Sequence, residues 1–347
     1  MKSLVSIQIL RGVAAWLVVY HHYMQFFYGF NSNSKLGQFF SDWGDFGIDI
    51  FFVISGFIMF YSLAGSGYGA KEFLVKRILR ITPVYWFYTF LIVFLSWVYS
   101  KEFEYTAWNL NTLVSSLVFI PTENPSGRLG YYPILTVGWT LNLEMFFYAW
   151  LSLCIFAFGR FRFLVCAITL IAFPLVWDEH WLYASILTDK YLYEFVFGLA
   201  LGYAYQGLQR AKPYLSYTLG ISLFLFAALL FQMNLTDLPG GQFSLNRSLL
   251  ACLLVLSALS FETVLFKIKN NLFQSLRYLG DISYSTYLVH TLVIVVFSHY
   301  FVNSGGALVE SFKLLLVSMT IVSLSHLSYQ YIETGPYLKI LKRKFIG

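Results

Sequence analysis

Apolar residues along this chain fall into runs about as long as a bilayer is thick, separated by short polar breaks. Such runs lie near 5–28, 46–64, 81–99, 138–158, 162–177, 191–207, 215–232, 247–262, 282–301 and 311–332. They predict an all-α membrane protein, a polytopic bundle of about ten transmembrane helices. The stretch 107–120 is too short and too polar to cross and reads as interfacial or re-entrant. It lies in the longest loop, roughly 100–137, which is the one candidate for an exposed lid. The run from Leu4 to Tyr28 exceeds a signal-peptide core and no small-residue cleavage site follows it, so it counts as the first helix. No repeat, low-complexity tract or linker interrupts the pattern. The expected organisation is a single domain over 1–347 with no fused extracytoplasmic domain.

Composition reinforces that picture. Hydrophobic residues make up 58% and charged residues 12% of the chain, and mean hydropathy is +0.66. Soluble domains carry roughly 25% charged residues, so a water-facing surface is excluded. Cys154, Cys166 and Cys252 all sit inside apolar runs and read as small buried hydrophobes with no redox or metal spacing. Trp43, Trp97, Trp108 and Trp139 fall near segment ends, as aromatic belts do.

Charge placement gives the predicted orientation. Of the 23 Lys and Arg residues, sixteen fall in one set of loops and tails: Lys2; Lys71, Lys76, Arg77 and Arg80; Arg160 and Arg162; Arg210 and Lys212; Lys267, Lys269 and Arg277; and four in the C-terminal tail. Six fall in the opposite set (Lys35, Lys101, Arg128, Lys190, Arg247, Lys313), and Arg11 lies within the first helix. Both termini are therefore expected in the cytoplasm. The net charge of +6 follows from this bias and from anionic lipid as a partner; it calls for no nucleic acid.

Ionisable groups within spanning segments are costly and mark function by default. In the first helix, Arg11 and His22 lie eleven residues apart, which places them within about 20° of one face and about 16 Å apart along the axis. His21 is rotated by about 80°, so the stripe selects His22. A snorkelling arginine and a packing histidine would give the same pattern. In Trp139-Thr140-Leu141-Asn142-Leu143-Glu144, the carboxylate is about 9 Å from the outer end of its segment, the same depth as His22. The two are expected to meet as general base and supporting carboxylate, or as a buried ion pair. Arg77 and Arg80, one turn apart, can fork onto phosphate or anchor the chain at the headgroups. Ser283, Tyr287 and His290 share a face at i, i+4 and i+7, with Asp281 or Ser283 as a possible N-cap. His290 fits packing, ligand binding and proton relay equally. Zinc-type Cys/His spacing, a Walker loop, a dinucleotide fingerprint and a Gly-x-Ser-x-Gly elbow are all absent, so neither a metal nor a permanently bound cofactor is expected.

Together these segments resemble the acyltransferase 3 family of integral membrane acyltransferases, which includes bacterial surface-polysaccharide O-acetyltransferases. The resemblance covers almost the whole chain. It rests on Leu10-Arg11-Gly12 with His22, Gly47 to Phe57, Arg77-x-x-Arg80 with Ile81-Thr82-Pro83, Trp139-Thr140-Leu141 with Glu144, Ser283-Tyr284-Ser285-x-Tyr287-Leu288-x-His290, and Glu333 near Pro336. Thr140 replaces the family's usual Ser and keeps the hydroxyl. The resemblance implies acetyl-CoA as a cytoplasmic cosubstrate and a carbohydrate hydroxyl on the far side as acceptor. That acceptor would belong to an exopolysaccharide, an O-antigen or a lipid-linked oligosaccharide, and the protein to the bacterial inner membrane. His22 takes the place of the family's essential histidine, with Glu144 beside it as the second catalytic residue. Arg11, Arg77, Arg80, Ser283, Tyr284, Tyr287 and His290 form the expected donor-binding set. Acylation of His22 and simple proton removal by it both remain open, as do a succinyl or other short-acyl donor and a homo-oligomer. The competing class is a transporter of lipid-linked sugars or small acids, although the inverted halves common in transporters are not visible.

Overall fold

The computed structural model describes residues 4–65, 67–99, 107–125, 131–177, 184–209, 213–232, 245–301 and 307–346. Lys2, Lys101, Arg128, Arg210, Lys212 and much of the expected lid lie outside them. The helices are α1 (Val5–Tyr28), α2 (Lys35–Trp43), α3 (Phe46–Leu63), α4 (Ala70–Val98), α5 (Leu110–Leu117), α6 (Trp139–Phe158), α7 (Arg162–Val176), α8 (Ala184–Leu187), α9 (Leu192–Leu208), α10 (Pro213–Gln232), α11 (Leu245–Ser260), α12 (Glu262–Leu265), α13 (Asn271–Asp281), α14 (Ser283–Tyr300), α15 (Ala307–Ser328) and α16 (Pro336–Ile346). No strand occurs among the described residues, as the apolar pattern predicts.

Each of the ten expected apolar runs contains a helix, but far fewer helices are by themselves long and apolar enough to cross a membrane. Among the described residues four stretches qualify: Phe46–Leu63, Ala70–Val98, Thr136–Val176 and Leu308–Leu338. A fifth is added if α13 and α14, bent by 72° at their junction, form one span. The shortfall has a physical origin. Helix α9 has 17 residues and α11 has 16, while α1 gives up hydropathy to Gln8, Arg11, His21, His22 and Gln25. The 41-residue stretch Thr136–Val176 folds back on itself. Gly159 turns it at φ 46°, a left-handed value that glycine adopts without strain. Trp150 Nε1 then donates to Thr169 Oγ1 at 2.7 Å, and Phe146 and Trp150 both pack on Phe173.

Helix α3 is the axis of the bundle. Its spanning window is 83% buried, against 33% for α4 and 22% for the α6–α7 stretch and the α15 region, so the latter helices form the lipid-facing periphery. Close backbone approach sets the α3–α9 contact. A Cβ on Gly56 would lie 2.2 Å from the Phe195 carbonyl, and one on Gly198 would lie 2.2 Å from that of Val53. Gly198 opens a Gly-x-x-x-Gly pattern with Gly202, the small-residue signal of packed membrane helices.

Arg247, counted by charge pattern among outer-loop residues, is instead a core residue with 1% exposure. Its guanidinium bonds Asp45 Oδ2 at 3.1 Å and Asp49 Oδ2 at 2.7 Å, tying α11 to the start of α3. Ser248 donates to buried Glu194 on α9 at 2.9 Å. Charges this far from water persist only when paired, and here the pairing holds three helices together. Neither expected cap forms at the start of α14. Asp281 is the last residue of α13 and accepts from Gln8 Nε2 at 2.7 Å, Ile282 occupies the cap position without a side-chain bond, and Ser283 is wholly buried with no partner for its hydroxyl.

Candidate active site

Two cavities lie end to end along α1. The first, of about 320 Å³, meets α1 at Gln8 and Arg11; the second, of about 990 Å³, meets it at Val18, His21, His22 and Gln25. The same order holds on α4, from Arg77 and Arg80 to Ile92, and on α14, from Tyr284 to Thr291. It reverses on α3, where Ser62 faces the first cavity and Asp45 the second. Ile48 and Tyr287 border both cavities and form the wall between them. Tyr287 is held there by Thr140 Oγ1 at 2.9 Å and by donation to the Val137 carbonyl at 3.0 Å.

The first cavity is cationic. Arg11, Arg77 and Arg80 all line it, and none of the three is paired with a carboxylate among the described residues. Arg11 donates only to Gln8 Oε1, at 3.0 Å. Arg77 lies against the rings of Phe73 and Tyr148, and its buried Nε has no partner. Arg80 is exposed and lies near enough to buried Glu333 to feel its charge. Glu333, at the end of a π-helical turn over Tyr329–Glu333, accepts from Ser285 Oγ at 3.0 Å. Tyr284 completes this wall and donates to the Ile81 carbonyl at 2.8 Å. Three unpaired guanidinium groups around a cleft form a ready site for an anion with several charges.

His22 lies in the second cavity, and its neighbour is His290. His290 Nε2 is 3.2 Å from His22 Nδ1, and His22 Nδ1 is also 3.1 Å from the Val18 carbonyl. His290 Nδ1 faces the Thr286 carbonyl at 3.3 Å. Carbonyls only accept, so this network assigns a proton to Nδ1 of each ring. His290 Nε2 then presents its lone pair to the His22 Nδ1–H, and His22 Nε2, which has no hydrogen-bond partner among the described residues, is left as the free basic nitrogen. A neighbour that fixes the tautomer is what a general base requires.

Glu144 does not meet His22. Its Oε1 accepts from Ser55 Oγ at 2.7 Å and from the Tyr148 hydroxyl, and it lines the arginine cavity. Equal depth gives a position along the bundle but not a rotation about the helix. On α6 the stripe Thr140, Leu141, Glu144, Tyr148 faces the first cavity, whereas Trp139, Asn142 and Leu143 face the second. The structure therefore moves His290 from the expected donor set to the side of His22. Arg11, Arg77, Arg80, Tyr284 and Tyr287 line the arginine cavity, and Ser283 lines neither. His21, rotated away from the stripe, also borders the second cavity, with Nδ1 3.2 Å from the Phe40 carbonyl. The sequence reading missed Ser55 and Tyr148, which carry Glu144, and Asn142; polar residues in the same apolar segments were the available signal.

The site is that of a helical membrane bundle with a cationic cleft at one end and a histidine-lined cavity at the other. The sequence profile of the acyltransferase 3 family, an acyltransferase domain, matches residues 4–327, and the chain belongs to that family of membrane acyltransferases. It is 35% identical over 284 residues to the exopolysaccharide production protein ExoZ of Rhizobium meliloti (strain 1021), covering 77% of this chain and 81% of that protein. No solved structure matches the chain.

Proposed function

We propose that this protein transfers an acetyl group from acetyl-CoA to a hydroxyl of an extracytoplasmic polysaccharide, from within the bacterial inner membrane. The observation that carries this reading is the pair of cavities sharing the Ile48 and Tyr287 wall. Arg11, Arg77 and Arg80 bind the CoA phosphates at the cytoplasmic mouth, where the excess of Lys and Arg in the adjoining loops puts them. A cleft of about 320 Å³ is at the small end for ligand sites. It takes the slender pantetheine arm and leaves the nucleotide at the mouth. Glu144, fixed by Ser55 and Tyr148, contributes a carboxylate to the donor site. The acceptor enters the larger cavity, and its name-bearing precedent is the relative's part in exopolysaccharide production.

His22 Nε2 removes the proton from the acceptor hydroxyl as its oxygen attacks the thioester carbonyl. A carbon–oxygen bond forms, the carbon–sulfur bond breaks, and the CoA thiolate takes the proton back from His22. The thioester reaches this point by passing the Ile48 and Tyr287 wall, so no free acetyl group has to cross the membrane.

The reading is tested by incubating purified protein with acetyl-CoA labelled in the acetyl group and a set of bacterial polysaccharides, with ester formation followed by mass. An increment of one acetyl group on a glycan, with release of CoA, is expected. Uptake of a lipid-linked sugar into vesicles without any ester would instead make the protein a transporter.

A further inference from the structure

We infer that the larger cavity is a subsite for an uncharged sugar ring, with Asn142 and Thr291 as hydroxyl-binding residues and Asp189 as the group that turns anionic sugars away. The inference rests on the acyltransferase reading above and adds the chemical class of the acceptor.

Asn142 on α6 is 4% exposed, its side chain makes no hydrogen bond among the described residues, and its buried Oδ1 is without a partner. Thr291 on α14 is 5% exposed, and its hydroxyl is likewise unpartnered. Both border the cavity that holds His22. A buried polar atom left without a partner is costly, so two of them on residues that line one cavity point to a ligand that supplies the missing bonds when these side chains turn towards it. Sugar hydroxyls donate and accept at once and can satisfy both an amide and a threonine. The remaining wall suits the apolar faces of a sugar ring: Trp139 and Tyr191 pack together at a centroid distance of 5.7 Å and line the cavity with Tyr131 and Tyr132.

The charges narrow the class further. Among the described residues, the lining contains two carboxylates, Asp45 and Asp189, and no Lys or Arg. The charge of Asp45 is offset by Arg247 at 3.1 Å. Asp189 has no cation partner among the described residues; its Oδ1 accepts from the Tyr191 N–H at 2.8 Å, leaving Oδ2 for a ligand. Burial pushes this carboxyl up to about 6, against the lowering effect of the Tyr191 N–H, so it is ionised at neutral pH. A uronate or phosphorylated sugar would meet this charge without a counterion, and like charges placed side by side repel. A neutral hexose meets only an acceptor for its hydroxyls.

The test is a competition. The purified full-length protein receives labelled acetyl-CoA and an equimolar mixture of two oligosaccharide pools, one of neutral hexoses and one in which each repeat contains a hexuronate, and initial rates are read by mass. The neutral pool should be acetylated about tenfold faster or more. In Asp189→Asn that ratio should fall towards one, with the apparent KM for acetyl-CoA unchanged, and Asn142→Ala should raise the apparent KM for the neutral pool alone. Equal rates in the wild type, faster transfer to the uronate pool, or an unchanged ratio in Asp189→Asn would overturn the inference while leaving the acyltransferase reading in place. Absence of transfer to both pools would remove that reading and the inference together.

Discussion

His22→Ala should lower acetyl transfer by about 10²–10⁴-fold, the usual worth of a general base, while binding of acetyl-CoA is retained. Two features of the structure make the prediction specific. The ring of His22 is held through Nδ1 by Val18 and His290, so the atom lost is the free Nε2 facing the acceptor cavity. Arg11 of the donor site lies about three turns away along α1, since eleven residues at about 1.5 Å each separate it from His22, and Arg77 and Arg80 line the other cavity. Donor affinity is therefore insulated from the change. Rate constants and acetyl-CoA binding measured side by side on detergent-purified protein check this. His21→Ala should be mild, because that ring bonds the Phe40 carbonyl and meets the His22 ring only edge-on, at a centroid distance of 5.5 Å, while the hydrogen bonds that orient His22 come from Val18 and His290. A His22→Ala enzyme of normal rate would refute the assignment.

Replacing Arg77 and Arg80 together by Lys should weaken acetyl-CoA binding by about 10²–10³-fold. Hydrogen bonds between charged groups contribute about 1.5–3 kcal/mol each, and two residues sharing one ligand do not add fully. Lysine keeps the charge that orients the membrane protein but loses the planar fork suited to phosphate. Topology and folding should survive, and the acceptor KM should stay put because the acceptor cavity contains neither residue. Isothermal titration with CoA against wild type and the double variant is the check. Unchanged affinity would return the pair to the role of surface anchors.

The helical class and the positions of ten of the sixteen described helices were legible from apolar run length, because lipid leaves the backbone no alternative but to satisfy itself within the helix; the short or amphipathic helices α2, α5, α8, α12, α13 and α16 were not. The number of spans was not. Helices shortened or made polar around buried sites, such as α1, α9 and α11, fall below the length and hydropathy of the four candidate spans. The arginine cluster could be read because Arg77 and Arg80 are one turn apart on a single helix. The His22–Glu144 pairing failed because depth along two helices says nothing about their rotation, and α6 turns Asn142 rather than Glu144 towards His22. The His22–His290 contact joins residues 268 positions apart. No local periodicity encodes such a contact, although the intramembrane position of both rings had marked each as functional. Arg247 was misplaced for a related reason: charge counting assumes that a basic residue near a helix end reaches water, and this one is held inside by Asp45 and Asp49.

The proposal that the two cavities form one route from donor to acceptor is tested most directly with sealed, inside-out membrane vesicles carrying the protein, with neutral oligosaccharide trapped inside and labelled acetyl-CoA added only outside. Esterified oligosaccharide should build up in the lumen, CoA should appear outside, and vesicles carrying His22→Ala should give neither. Ester formed only when glycan and acetyl-CoA are supplied on the same side would contradict a route through the Ile48 and Tyr287 wall.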